Sequence, residues 1–176
     1  MNAFRTTTLV ASLAALLAVP VASRADATVK EAQDAVAVLK KADPSLKKFF
    51  DHSVGYVVFP GVGKGGLVVG GAGGSGILFE HGKAVGKATL SQVTIGAQVG
   101  GQAYYEIIFF ETAETLAAFK TGEWTMAAQV SAVVLKSGAS ADAAYKDGVA
   151  VFTLSKGGAM AEASVGGQKF SYKPLN

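Results

Sequence analysis

Residues 55–80 read GYVVFPGVGKGGLVVGGAGGSGILFE, and the parsing of this stretch decides the fold. Three apolar runs, Tyr56 to Phe59, Leu67 to Val69 and Ile77 to Phe79, are separated by glycine clusters too dense for a helix to cross. Short runs of β-branched and aromatic residues bounded by glycine predict strand, turn, strand, turn, strand. Glycine inside a strand costs about 0.5–1 kcal/mol relative to alanine. So many of them imply sharp bends, positive φ, or a backbone or ligand lying closer than a Cβ would permit. For Gly73, Gly74 and Gly76 the expectation is tight turns with positive φ.

The same stretch contains two matches to G-x-G-x-x-G, at Gly61, Gly63, Gly66 and at Gly71, Gly73, Gly76. A dinucleotide site needs the third glycine to open a helix whose N-terminal amides hold the pyrophosphate. Here Ile77-Leu78-Phe79 follows, a strand running into His81-Gly82, so a nucleotide-binding enzyme is only a remote alternative. Gly63-Lys64 and Gly82-Lys83 lack the Ser or Thr that completes a P-loop.

Working outward, residues 1–25 carry Arg5, an apolar core from Leu9 to Val19, and Ser23-Arg24-Ala25. This is the pattern of a Sec-type signal peptide, with cleavage expected after Ala25 and a periplasmic destination. Without Arg5 and Arg24, the 16 basic residues become 14 lysines against 13 acids, a net charge of +1. The overall basicity is therefore no argument for nucleic acid, and local clusters must carry any electrostatic reading. The absence of cysteine excludes disulfides, thiolate metal sites, a cysteine nucleophile and a lipoprotein anchor.

Along the chain, Val29, Ala32, Val36 and Leu39 repeat at helical spacing, Thr28 with Glu31 is a capping-box pair, and Pro44 is a stop. A second helical segment, Pro44 to Asp51, carries Leu46, Phe49 and Phe50 beside Lys47 and Lys48. One reading packs the apolar stripe on the core with lysines solvated. The other makes an interfacial helix, with phenylalanines in the acyl boundary and lysines on anionic head groups. Lys83 to Leu90 reads as a strand. Gln92 to Gln102 alternates, with Val93, Ile95, Ala97 and Val99 on one face, and the pattern continues to Phe110 with a bend expected at Gly100-Gly101. A short helix is expected between Glu111 and Thr121, capped by Thr112, then a strand over Trp124 to Leu135 with Trp124 as a core anchor. Ser137 to Asp147 reads as a polar connection. Val149 to Leu154 and Ala159 to Tyr172 form the last strands, joined at Gly157-Gly158. The sum is an α+β fold: a small curved antiparallel β-barrel or barrel-like sheet of about eight strands, with an N-terminal amphipathic helix and one or two short helices.

In order, the chain carries the amphipathic helix, Gly55-Tyr56-Val57-Val58-Phe59-Pro60 with Lys64-Gly65-Gly66, Gly73-Gly74-Ser75-Gly76, and Gly96-Ala97-Gln98-Val99-Gly100 before an apolar strand through Phe110. These motifs in this order resemble the SYLF family of lipid-binding domains. The likeness spans about Ala27 to Tyr172, so residues 26–176 are expected to be one domain, with a helical segment at 26–51 and a β-rich body at 54–172. The resemblance implies a non-enzymatic module without cofactor that binds anionic phospholipid. It places the lipid-binding role on Lys30, Lys40, Lys41, Lys47 and Lys48, and on Lys64; the interfacial reading of the helical segment adds Phe49 and Phe50. Ala72 stands where eukaryotic members often have arginine. An exported chain meets neither actin nor, ordinarily, phosphoinositides, so the actin role of some members does not transfer.

Catalytic and metal chemistry find little support. His52 and His81 sit in predicted turns, Ser53 and Ser75 lie in no nucleophile elbow, and no metal-ligand spacing occurs. Glu106, among Tyr104, Tyr105, Ile107 and Ile108, is expected to alternate outward or pair with a lysine. Its alternative is to line a ligand cavity with Gln98 and Gln102. Glu106 and Glu111 are five apart, hence on opposite strand faces, and cannot form a glycosidase pair. An outer-membrane β-barrel remains an alternative, opposed by the helical segment, by strands expected to be shorter than 9–11 residues, and by the non-aromatic end Lys173-Pro174-Leu175-Asn176.

Overall fold

The computed structural model describes residues 26–66, 69–95, 101–157 and 164–176; residues 1–25, 67–68, 96–100 and 158–163 lie outside them. Helix α1 (Val29–Ala42) starts where expected, with the Thr28 hydroxyl accepting from the Glu31 N–H and the Glu31 carboxylate accepting from the Thr28 N–H. Asp43 ends it, and a 3-10 turn (Pro44–Leu46) leads into α2 (Lys47–His52).

The remaining strands form one curled sheet. They are β1 (Gly55–Gly66), β2 (Val69–Glu80), β3 (Lys83–Ile95), β4 (Gln102–Phe110), β5 (Trp124–Thr125), β6 (Ala132–Val134), β7 (Val149–Ser155) and β8 (Lys169–Pro174). A third α-helix, α3 (Ala113–Lys120), capped by Thr112, follows β4. The order is β5-β8-β3-β2-β1-β4-β7-β6, and every described pairing is antiparallel except β6 with β7. The sheet is a half-barrel, not a closed barrel: β5 and β6 are its two edges. The chain between them, 126–131, crosses the open side and buries Met126 and Val130 there.

The parsing of the glycine stretch needs correction. Two long strands take up the described part of the stretch, and most of the glycines lie inside them; Leu67 and Val68 of the expected middle strand lie outside the described residues. Gly63 faces Gly73, Gly65 faces Gly71 and Gly66 faces Gly70 across the β1–β2 ladder. Gly73, Gly74 and Gly76 do not have positive φ; the β2–β3 turn does, at His81 and Gly82 (φ 50° and 76°). What the glycines provide is close approach. A Cβ on Gly76 would sit 2.5 Å from the Val58 carbonyl oxygen, and one on Gly74 would sit 2.8 Å from that of Gly61, whereas one on Gly73 meets nothing nearer than 3.5 Å. The approach coincides with a bulge. Between Phe59 and Val62, β1 has one residue more than β4 opposite it, and Pro60, which has no N–H to donate, occupies the irregularity.

The inner face of the half-barrel carries Val57, Phe59, Leu90, Ile108 and Phe110, closed over by Phe119 of α3 and by Val165. Val58, Ile77, Ile107, Phe109 and Phe152 make the outer face, covered by Ala32, Ala35 and Leu39 of α1 and Phe49 of α2. Trp124 packs against Phe110, Phe119 and Phe170, as a core anchor should.

Four further expectations change. β3 continues the parity of Ala88 and Leu90, so Gln92 is buried and Val93 is 80% exposed, the reverse of the alternation expected there. Residues 124–135 are two short edge strands joined by a loop, not one strand. β7 and β8 do not form a hairpin: β7 pairs with β4 and β6, and β8 with β3 and β5. β1, β2 and β3 have 12, 12 and 13 residues, so strand length does not argue against a membrane barrel; the unclosed edges do.

Alanine at Gly76 or Gly74 is expected to destabilise the fold by about 1–3 kcal/mol, the usual cost of overpacking against atoms that cannot move. Alanine at Gly73 should leave the melting temperature unchanged or raise it. Thermal unfolding of the three variants checks this, and equal losses at all three would refute the close-approach account.

Candidate functional site

The basic segment is a rigid joint laid on the outer face of the sheet. Phe49 is 3% exposed and packs on Phe109, Tyr145 and Phe152, with ring centroids 4.8–5.5 Å apart. Phe50, half-buried, meets Tyr56 and Phe109. In this conformation both rings lie against the sheet. Sheet aromatics offer them a drier and better-packed site.

The lysines lie on the solvent side. Lys40 sits over the Phe50 ring at 4.1 Å. Lys30 pairs with Asp34 and Lys47 with Asp51, both at i,i+4 spacing and well exposed. Lys41 is exposed and, like Lys40, falls in the last turn of α1, where a cation complements the helix dipole. Lys40, Lys41, Lys47 and Lys48 are thus brought to one helix–helix joint, with Lys30 one α1 length away. Lys64 is not brought to it. It is half-buried on β1, opposite Ala72 and Gln102, eight residues or about 26 Å along the strand from Tyr56.

The joint is stapled to the 138–143 loop by groups of both signs. The buried Asp43 carboxylate accepts from the N–H groups of Ser45 (3.0 Å), Gly138 (3.1 Å) and Ser140 (2.7 Å). Lys48 Nζ donates to the carbonyls of Ala141 and Ala143. Burial opposes the charge on Asp43, but the N–H donors from Ser140, Ser45 and Gly138 outweigh it and hold the carboxyl below its ordinary range. Asp43 was missed in the sequence, although Asp43-Pro44-Ser45 is a recognisable turn signal.

Beside α1, a shallow groove of about 410 Å³ runs along the β1 bulge, lined by Glu31, Asp34, Val38, Pro60, Tyr105 and Lys156. Lys156 lies over the Tyr105 ring at 4.4 Å.

The half-barrel interior holds a second polar group. Glu106 does not alternate outward and pairs with no lysine: it is fully buried, beside Thr153 on β7 and Phe59 on β1. Its Oε2 accepts from Gln168 Nε2 at 3.1 Å, while Oε1 has no partner. Gln168 is its neighbour rather than the expected Gln102, which is exposed, or Gln98, which lies outside the described residues. Burial pushes the Glu106 carboxyl up to about 8, against a smaller opposing effect from Gln168.

Elsewhere the chemistry is sparse. His52 and His81 are exposed, and Ser75 Oγ accepts from the Ala27 N–H at 2.8 Å. Among the described residues no three His, Cys, Asp or Glu side chains come together as a metal site.

Residues 91–174, from the C-terminal end of β3 through β8, match the family model for Ysc84, described as Las17-binding protein actin regulator. This is the SYLF domain family, matched over residues 91–174 of the chain. SYLF domains are lipid-binding modules and not a known enzyme family. Over 142 residues the chain is 30% identical to Beta cell expansion factor A of Aeromonas veronii, covering 79% of this chain and 53% of the relative. The chain thus spans about half the length of that relative. The family match contains Glu106, Thr153, Gln168 and the loop held by Asp43, but not the basic joint itself.

Removing the Asp43 carboxylate, as in Asp43→Ala, strips three N–H groups of their acceptor. At about 1–3 kcal/mol for each one left buried and unpaired, the expected loss at pH 7 is about 2 kcal/mol or more. Because the folded-state pKa is depressed, this stabilisation is present above about pH 4 and disappears as pH falls through the folded value. Denaturant titrations of parent and variant should therefore converge toward pH 3; a constant difference from pH 7 to pH 3 would show that the charge is not what matters.

Proposed function

We propose that this chain is an exported, periplasmic, non-enzymatic phospholipid-binding protein, composed of one domain from residue 26 onward, that engages anionic membrane surfaces through the basic joint of α1 and α2. The observation that carries the reading is the convergence of Lys40, Lys41, Lys47 and Lys48 on a joint whose apolar side is already committed to the sheet. Cations held this way meet a head-group layer as a preformed patch, each contributing about 1 kcal/mol near an anionic surface. Phe49 and Phe50 serve by fixing the joint rather than by inserting. Lys30 and Lys64, at a distance from it, are secondary contacts that a flat membrane could reach only with the molecule lying along its length.

The lipid-binding character of SYLF domains supports this reading, and the pattern of residues 1–25 supports export. The family description speaks of Las17 and actin regulation; a protein outside the cytoplasm would meet neither, so the lipid role is the one carried over. Recovery of the processed chain from the periplasmic fraction without detergent separates this from an outer-membrane barrel.

The lysines can be tested directly. Lys48 also holds the 141–143 carbonyls, so a triple variant, Lys40, Lys41 and Lys47 to Gln, should accompany the quadruple one. Both are expected to leave anionic vesicles in flotation at 0.1 M salt, while the parent stays bound and lets go as salt approaches 1 M and the Debye length shrinks from about 10 to about 3 Å. The triple variant should keep the parent's melting temperature. If it floats with anionic vesicles as well as the parent, the lipid surface lies elsewhere, at Lys64 and the glycine strands.

A further inference from the structure

The open side of the half-barrel is shut by two short straps, 126–131 and 164–168, that pack on each other. Met126 N–H donates to the Gln168 carbonyl at 2.9 Å and Gly167 N–H to the Met126 carbonyl at 3.0 Å. A Cβ on Gly166 would lie 2.4 Å from the Ala128 carbonyl oxygen, so the two straps are in close backbone contact. Val165 and Gln168 are fully buried beneath the second strap.

What ties that strap to the sheet is mostly polar and only half satisfied. Gln92 Nε2 donates to the carbonyls of Ser164 and Gly166, both at 3.2 Å, and Gln168 Nε2 donates to Glu106 Oε2. Beneath these bonds, Gln92 Oε1, Glu106 Oε1, Thr153 Oγ1 and Gln168 Oε1 are buried without a partner. A buried network with four unmet oxygens is the part of a core that gains most from admitting water.

We propose that Glu106 and Gln168 form a proton-operated latch: with Glu106 protonated, strap 164–168 stays shut over the half-barrel interior, and loss of that proton to solvent lets the strap lift and water enter.

The groups facing Glu106 make the proton decisive. On its own strand the neighbour on the same face is Tyr104, itself buried and pushed upward by burial and by Glu106. From β1 comes Phe59, itself packed on Phe170 of β8 with ring centroids 5.8 Å apart, from β7 Thr153 and from the strap Gln168. Among the described residues no lysine or histidine is buried with them to balance a carboxylate. A neutral carboxyl needs no counter-charge; an ionised one, left with a single amide donor, is relieved only by water. Shut, the carboxyl titrates near 8; open, near its ordinary 4.5. The shut form therefore binds the extra proton between those values, and opening becomes about tenfold easier for each pH unit gained across that window.

This inference does not depend on lipid and is tested without it, by amide hydrogen exchange on the full chain from pH 5 to pH 8.5, corrected for the intrinsic pH dependence of exchange. The reporters are the N–H groups of Met126 and Gly167, with those of β1 and β4 as the measure of global unfolding. The expected result is a strap opening constant at least tenfold above that of the sheet, rising about four-hundredfold from pH 5 to pH 8. It should become flat in Glu106→Gln. If that variant does not fold, Glu106→Leu, which fills the same apolar space, gives the same comparison. Strap and sheet amides sharing one opening constant would overturn the latch, as would an unchanged pH slope in the variant.

Discussion

The approach of β2 to β1 closer than side chains allow is the constraint on which the other elements depend. β1 is the central strand, paired to β2 on one side and β4 on the other, and at Gly74 and Gly76 the main chain of β2 lies where a Cβ would strike the β1 backbone. Close contact here and the extra residue at Pro60-Gly61 together let the sheet bend sharply enough to have an inside. A flatter sheet of the same strands would expose Phe59, Leu78 and Ile108 on one face and Val58, Ile77 and Ile107 on the other, with too little chain to cover both. Curling gathers the first set against α3 and the straps and leaves an outer face that two helices can roof.

The two buried carboxylates show how differently the two faces are finished. Asp43, at the roof, receives three N–H donors and stays charged below its ordinary range. Glu106, inside, receives one amide and is driven toward the neutral form. The number of donors decides the sign of the shift, since burial alone raises both. Each therefore gives stability an opposite pH dependence: Asp43 loses its contribution in acid, Glu106 imposes a penalty that grows from weakly acid to weakly alkaline conditions. The roof is consequently a fixed joint, and the interior closure is the adjustable one.

The elements governed by local rules were legible in the sequence. Thr28 with Glu31, Pro44, Thr112 and His81-Gly82 mark ends that caps and turns dictate, and the structure puts them there. What was not legible depended on pairing partners distant in sequence. Glycine clusters read as turns because a turn is the usual reason for glycine; here the reason was another strand's carbonyl, which no local window contains. Gln92 and Val93 were assigned to the wrong faces because alternation gives a period but not which phase is inward, and Leu90 fixed that phase. Glu106 was placed outside because a lone carboxylate in an apolar strand normally escapes burial; its partner, Gln168, is 62 residues away. The lysines of the joint were readable as a cluster, but not that Lys48 would be spent on loop carbonyls.

That last point bears on how such a surface can work. A helix that inserts into a membrane must give up whatever its apolar face touches in solution, and here that face holds Leu39, Leu46 and Phe49, all buried against the sheet. Detaching it would forfeit about 1.5–3 kcal/mol for each large side chain re-exposed and would leave Asp43 and the 138–143 loop without each other. With Lys48 engaged by the loop, Lys40, Lys41 and Lys47 contribute about 3 kcal/mol at best, too little to offset that loss unless the rings regain it fully in lipid. Association through the intact joint has no such cost. The arrangement therefore favours a docked domain whose helices stay on the sheet, with salt-sensitive contact at the lysines and the apolar interior kept behind its straps.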